Sequence, residues 1–167
     1  MSTRPHELKA ALQLQPHPEG GWYREVFRSP AQVQTADGRG QRSALTAIYF
    51  LLEAGQHSRW HRVLSDEVWV HLEGDVLDLW TWDAIKNIAT CHLLGPVETH
   101  AGVQPQHVVG AGLWQAARPR TGGPGGYTLA ACMVGPGFDF ADFSMMSPDG
   151  PDARQLHRDH PALAVFI

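Results

Sequence analysis

Residues 58–74 read SRWHRVLSDEVWVHLEG, from Ser58 to Gly74. Between Glu67 and Leu72 the side chains alternate. Glu67, Trp69 and His71 fall on one face of a strand, and Val68, Val70 and Leu72 fall on the other. Tryptophan is costly to leave in water. A face that carries a carboxylate, an indole and an imidazole therefore reads as the lining of a cavity rather than a solvated surface. His61 and Glu67 are the candidate catalytic pair of that cavity, and Trp69 is its flat wall. Ser58, His71 and, further along the chain, Gln115 are candidate ligand contacts.

Working outward, the neighbouring segments are also short and extended. Ala44 to Leu52 is a continuous apolar run with Ile48, Tyr49 and Phe50, as in a buried central strand. Trp22 to Phe27 alternates, and residues 30–43 form a polar loop. Downstream, Val76–Trp82, Ile88–Leu94, Leu113–Ala117 and Tyr127–Val134 read as further strands. The 17 glycines and 12 prolines punctuate these runs without low complexity, so they mark turns rather than disorder. About eight or nine short strands with no helices between them favour a sandwich or barrel over βαβ units. One helix is expected, over about residues 4–14, capped by Ser2 or Thr3, with Pro5 in its first turn and Pro16 beyond its end. The barrel spans about residues 20–145. A tail follows at 146–167, polar from Pro148 to Pro161 and apolar from Ala162 to Ile167.

Length and charge narrow the function classes. A chain of 167 residues suits one domain, here the whole of 1–167. The net charge is -4 and no basic run or stripe is present, which argues against nucleic-acid and anionic-membrane partners. No apolar run approaches a membrane span, and the first fifteen residues lack a signal-peptide core, so a cytoplasmic location is expected. Cys91 and Cys132 lie far apart and in no motif, and read as free buried thiols.

Gly55, His61, Glu67 and Gly74 resemble the first motif of the cupins, including the interval of seven residues from Glu67 to Gly74. The second cupin motif would fall on Gly110-Ala111-Gly112-Leu113-Trp114-Gln115. The segments HPEGGWYREVFRS (17–29), SRWHRVLSDEVWVHLEGD (58–75), GLWQAARP (112–119) and VGPGFDFADF (134–143) resemble one branch of that superfamily. Its members are single-domain, RmlC-like cupins of bacteria and yeast with no assigned function. The resemblance implies an all-β double-stranded β-helix, the cupin jelly-roll barrel, with a short N-terminal helix. It also implies a homodimer, for which the N-terminal strands and apolar residues 162–167 supply a motive, since both need cover. It implies no reaction.

The chain departs from the motif at two positions, and its interval from His61 to Glu67 is one residue longer than in the usual motif. The usual cupin metal site resembles three histidines and one glutamate. Here Arg59 stands where the first histidine of a His-x-His pair would be, and Gln115 stands at the histidine of the second motif. His61, Glu67 and the weak neutral ligand Gln115 are the only metal set on offer, because His71 lies about 13 Å from Glu67 along a strand. The cofactor is therefore unknown and a divalent metal is not favoured.

Two functional readings stay open. In the first, the barrel binds a small polar ligand of sugar, nucleotide or carboxylate type, held by His61, Glu67, Trp69 and Gln115. Arg24 could grip an anionic end of it. In the second, the chain is an isomerase. Gly21–Glu25, Arg59–His61 and Gly74–Leu79 resemble the metal-independent keto-sugar epimerases of the rhamnose pathway, with His61 as base and Tyr49 or Tyr127 as the opposing acid. A metal-dependent lyase or oxygenase is the lesser alternative. Tyr49 otherwise reads as core, and Phe138, Phe140 and Phe143 read as packing. The histidines at 6, 92, 100, 107, 157 and 160 belong to no constellation.

Overall fold

A computed structural model describes residues 3–97, 102–120 and 122–167 of the chain. Ser2, as a helix cap, and His100 lie outside the described residues. The fold is built from short strands in chain order: β1 (Gln15–Pro16), β2 (Trp22–Arg28), β3 (Gln32–Gln34), β4 (Gln41–Ser43), β5 (Thr46–Glu53), β6 (Ser58–Val63) and β7 (Asp66–Gly74). They continue with β8 (Leu77–Asp83), β9 (Ile88–Leu94), β10 (Val103–Gln104), β11 (Gln106–Val109), β12 (Trp114–Pro119), β13 (Tyr127–Gly135) and β14 (Phe143–Met145).

Two six-stranded sheets result, in the orders β1-β2-β5-β13-β7-β11 and β10-β9-β8-β12-β6-β14, with β3-β4 as a separate hairpin. From β5 to β8 each successive strand changes sheet, which is the connectivity of a double-stranded β-helix. All pairings are antiparallel except β9 with β10. Alternation sorts the side chains. Phe50, Leu52, Trp69, Leu79, Ala130 and Cys132 point between the sheets and form the core at one end of the barrel.

Both termini dock on the outside of this barrel. Helix α1 (Arg4–Ala11) is shorter than the sequence suggests, and Gln13 turns the chain away with a positive φ of 54°. It buries Leu8 beside Leu14, Leu51, Tyr127 and Leu129. At the other end the polar tail contains a second helix, α2 (Pro151–Asp159), which the sequence reading does not foresee. It is followed by a 3₁₀ segment at Pro161–Phe166. Ala153, Leu156, Leu163 and Phe166 cover Trp60, Trp82 and Trp114, and Trp60 Nε1 donates to the Leu163 carbonyl at 3.0 Å. Leu163 and Phe166 of the apolar C-terminus are thus covered by its own barrel, whereas Ala162 and Val165 stay exposed.

Residues 30–43, expected as a loop, form the β3–β4 hairpin. Arg39 and Arg42 pin it to the buried carboxylate of Asp142 through contacts of 2.7–2.8 Å. Among the described residues no helix is long and apolar enough to cross a membrane.

Candidate functional site

Between the sheets lies a cavity of about 470 Å³ that opens to solvent. β5 lines it with Thr46, Ile48 and Phe50, β6 with His61, and β7 with Glu67 and Trp69. β13 adds Cys132 and Val134. Phe138, Phe140 and Phe143 surround the mouth together with Arg28 and Glu25 of β2.

The polar floor is assembled from two distant parts of the chain. His61 and Glu67 come from consecutive strands. Glu19 comes from the segment His17-Pro18-Glu19-Gly20-Gly21, which folds into the barrel before β2. Gly20 and Gly21 make that fold available, with φ of +112° and +71°. A Cβ at Gly20 would lie 2.3 Å from the His57 carbonyl oxygen, so only glycine fits against the start of β6. The Arg59 amide donates to the Glu19 carbonyl at 2.8 Å and fastens the segment there.

The hydrogen bonds fix the protonation pattern. His61 Nδ1 lies 2.8 Å from the Arg59 carbonyl, which can only accept, so Nδ1 carries a proton. In the neutral ring Nε2 then offers a lone pair, and it faces Glu19 Oε2 at 3.2 Å. The other Glu19 oxygen accepts from Ser58 Oγ at 3.0 Å. Burial pushes the Glu19 carboxyl up to about 8, against the opposing pull of the Ser58 hydroxyl and the Arg59 charge. Near neutrality Glu19 is therefore mostly a carboxylic acid that donates to His61. Burial lowers the His61 imidazole, while Glu67 and the Arg59 carbonyl hold it up. His17, beside Glu19, is lowered to about 4 by burial and by His61.

Glu67 has a separate support. Gln115 Nε2 donates to Glu67 Oε2 at 2.6 Å, and Gln115 Oε1 accepts from Trp69 Nε1 at 2.9 Å. The indole fixes which end of the amide is oxygen, so the amide must present its NH₂ to the carboxyl. Burial raises Glu67 to about 7; His61 and Gln115 pull it down and Glu19 pushes it up. Burial also raises the Cys132 thiol, with Glu67 adding to the effect.

Of the residues singled out in the sequence, the structure brings His61, Glu67 and Trp69 to the cavity wall. Gln115 and Ser58 stand directly behind it, both fully buried, and orient Glu67, Glu19 and His61. Three others lie elsewhere. Tyr49 alternates with the cavity-lining Ile48 and Phe50, so it faces the opposite side of β5 and packs with the α1 cluster. Arg24 pairs with Tyr49 in the ladder, is exposed, and donates to the Leu12 carbonyl at 3.2 Å. His71 lies past Trp69 on β7, with Nε2 at 3.2 Å from the Gly74 carbonyl. Tyr127 also lies outside the cavity and donates to Glu73 at 2.5 Å. The tyrosine that lines the cavity is Tyr23.

His17, Glu19, Cys132 and the three phenylalanines are cavity residues that sequence reasoning did not assign. The only local trace of Glu19 is the glycine pair that follows it. Outside this site, His92 and His107 stack at 3.6 Å.

The donors present do not fit a resident metal of the usual cupin kind. Gln115 spends its oxygen on Trp69, Arg59 is exposed and donates to the Pro18 carbonyl, and His61 Nε2 faces the Glu19 carboxyl at 3.2 Å. Among the described residues no three His, Cys, Asp or Glu side chains are arranged to hold a metal ion.

The fold and family have known relatives. A hypothetical protein from Leishmania major has 32% sequence identity and a TM-score of 0.82, over 99% of this chain and 97% of its own. A protein of known crystal structure from Shewanella oneidensis has 30% identity and a TM-score of 0.79, over 99% and 94%. Oxalate decarboxylase of Bacillus subtilis has 14% identity and a TM-score of 0.56 over 86% of this chain and 33% of its own, which shows the fold alone. No curated protein matches. The family described as Cupin superfamily (DUF985) matches residues 6–146, and with both sheets and both motif regions inside that span, the chain belongs to it.

Proposed function

We propose that the barrel interior binds one small polar molecule, with its polar end at Glu19, His61 and Glu67 and its body against Trp69 and the phenylalanines. The observation that carries this reading is the burial of two carboxyl groups, Glu19 at 5% and Glu67 at 7% exposure, with no Lys or Arg salt bridge to either among the described residues, on the wall of an open cavity. Burying such groups costs stability that a core would recover by substituting hydrophobes. A binding site accounts for the cost, because ligand pockets combine apolar walls with a few convergent polar groups. The test is a fragment screen by protein-observed NMR. Binders should shift amides of β5, β7 and β13 around the cavity, and Ile48→Trp should abolish those shifts while preserving the remaining spectrum. Shifts confined to other surfaces, or shifts that survive the filled cavity, refute the reading.

A second reading, proton transfer of the isomerase type, is favoured by one specific feature. His61 presents Nε2 in a fixed tautomer to a carboxyl that titrates near neutrality, which suits a group that must both take and return a proton. Deuterium uptake from solvent next to the carbonyl of a keto-sugar, lost in His61→Ala, tests it; no uptake with any keto-sugar tried sinks it.

A further inference from the structure

We propose that the ligand is a small organic cation of the alkylammonium class; this rests on the binding reading above and specifies its chemistry. The argument starts from charge. Arg28 is the one Lys or Arg among the described residues that line the cavity, and it is already engaged. Its Nε and Nη2 lie 2.9 Å and 2.7 Å from the two Glu25 oxygens, and Nη1 donates to the Phe138 carbonyl at 3.0 Å. Facing it are four carboxyl groups: Glu19 and Glu67 in the interior, Glu25 and Asp139 at the mouth. An anionic ligand would find no free guanidinium or ammonium there and would meet the carboxyls. A neutral ligand would leave the protons of Glu19 and Glu67 in place and gain nothing from ionising either carboxyl.

The walls match a cation independently of the carboxyls. Phe138, Phe140 and Phe143 contact one another edge-to-face with centroids 5.0–6.0 Å apart at the mouth. Deeper in, Phe143 lies 5.6 Å from His61, and Phe50 lies 5.6 Å from Trp69 in a perpendicular arrangement. Aromatic faces attract ammonium groups through the ring quadrupole, most strongly where water is excluded. An ammonium group seated between Glu67 and Trp69 therefore meets a carboxylate and an indole face, with its hydrocarbon part toward the phenylalanines. A cavity of about 470 Å³ accommodates a ligand of roughly this kind.

Proton release makes the proposal testable. In the free protein burial keeps Glu19 protonated up to about pH 8 and Glu67 up to about pH 7. Binding of an ammonium ion ionises at least one of them, and that proton passes to the buffer. Affinity should then rise by up to about tenfold per pH unit below the carboxyl's titration.

The experiment compares pentylammonium, 1-pentanol and pentanoate, which differ only in the head group. Full-length protein is titrated at pH 6 and 8 by ligand-observed NMR. Calorimetry in two buffers of different ionisation enthalpy counts the protons. Pentylammonium should bind tighter at pH 8, release close to one proton at pH 6 and less at pH 8, and lose at least about tenfold in affinity in Glu67→Gln. Should that variant not fold, the proton count on the unaltered protein decides alone. Equal or tighter binding of pentanol or pentanoate, or pentylammonium binding at pH 6 without proton release, overturns the cation assignment. If all three probes fail while the NMR screen finds cavity binders of another class, the cation assignment falls and the binding reading stands. If the screen is also empty, both fall.

Discussion

Replacing Glu19 with glutamine should flatten the alkaline side of the stability profile. The sign follows from the shifts at the cavity floor. Glu19 is raised from 4.5 to about 8 and Glu67 from 4.5 to about 7, so between those values the folded state binds more protons than the unfolded chain. Stability from these groups is full below about 4.5 and falls as pH rises through the folded values. His17 is lowered from 6.5 to about 4 and works the other way, adding stability as pH rises to 6.5. The two tendencies oppose each other below about pH 6.5, and only the carboxyl effect remains above it. From pH 6.5 to 8.5 Glu19 loses about 1.5 pH units of differential protonation, or about 2 kcal/mol, and Glu67 about 1 kcal/mol more. For a chain of this size the sum corresponds to a fall of roughly 6–12 °C in Tm. Glutamine keeps an acceptor for Ser58 and a donor for His61, so Glu19→Gln should remove the larger part of the drop. It should also lower the Glu67 titration, because the Glu19 charge helps to raise it. Urea denaturation at half-unit pH steps, on both proteins, reads the difference. Parallel profiles for the variant and the parent, or a parent whose stability rises between pH 6.5 and 8.5, refute the protonated-floor account.

Gln115→Leu should strand Trp69 Nε1 and Glu67 Oε2 without their buried partner and cost roughly 2–5 kcal/mol, read from urea midpoints; a change below about 1 kcal/mol would mean that this bridge is absent in solution. Phe166 is 1% exposed against Trp60, and Phe166→Ala should cost about 3–5 kcal/mol in the same assay, whereas an undocked C-terminus would leave stability unchanged.

What was legible in the sequence is what depends on neighbours along the chain. The β7 alternation of Glu67 and Trp69 with valines places both inward, because a two-residue period needs no long-range information. The same rule places Tyr49 outward once Ile48 and Phe50 are known to face in, and the sequence could not show that, since the apolar run is unbroken on both faces. Helix α2 was hidden for a related reason. PDARQLHRD has only Ala153 and Leu156 to bury, too narrow a stripe to stand out in a polar tail, yet both fit onto the tryptophan surface beneath.

Glu19 was illegible because it meets Ser58 across 39 residues, and no periodicity reports such a contact. The floor is also more coherent than a motif with missing histidines. At one vacant position Arg59 turns outward to the Pro18 carbonyl, and that same contact holds the segment that carries Glu19. At the other, Gln115 sits opposite His61 in the ladder and is oriented by Trp69 to donate to Glu67. Histidine in place of Gln115 could not make both bonds in this orientation while leaving a lone pair for an ion. The two departures therefore act together. They replace a set of lone pairs aimed at a common point with a chain of donors and acceptors that orients Glu19 and Glu67, two carboxyls that burial raises against the pull of those same hydrogen bonds.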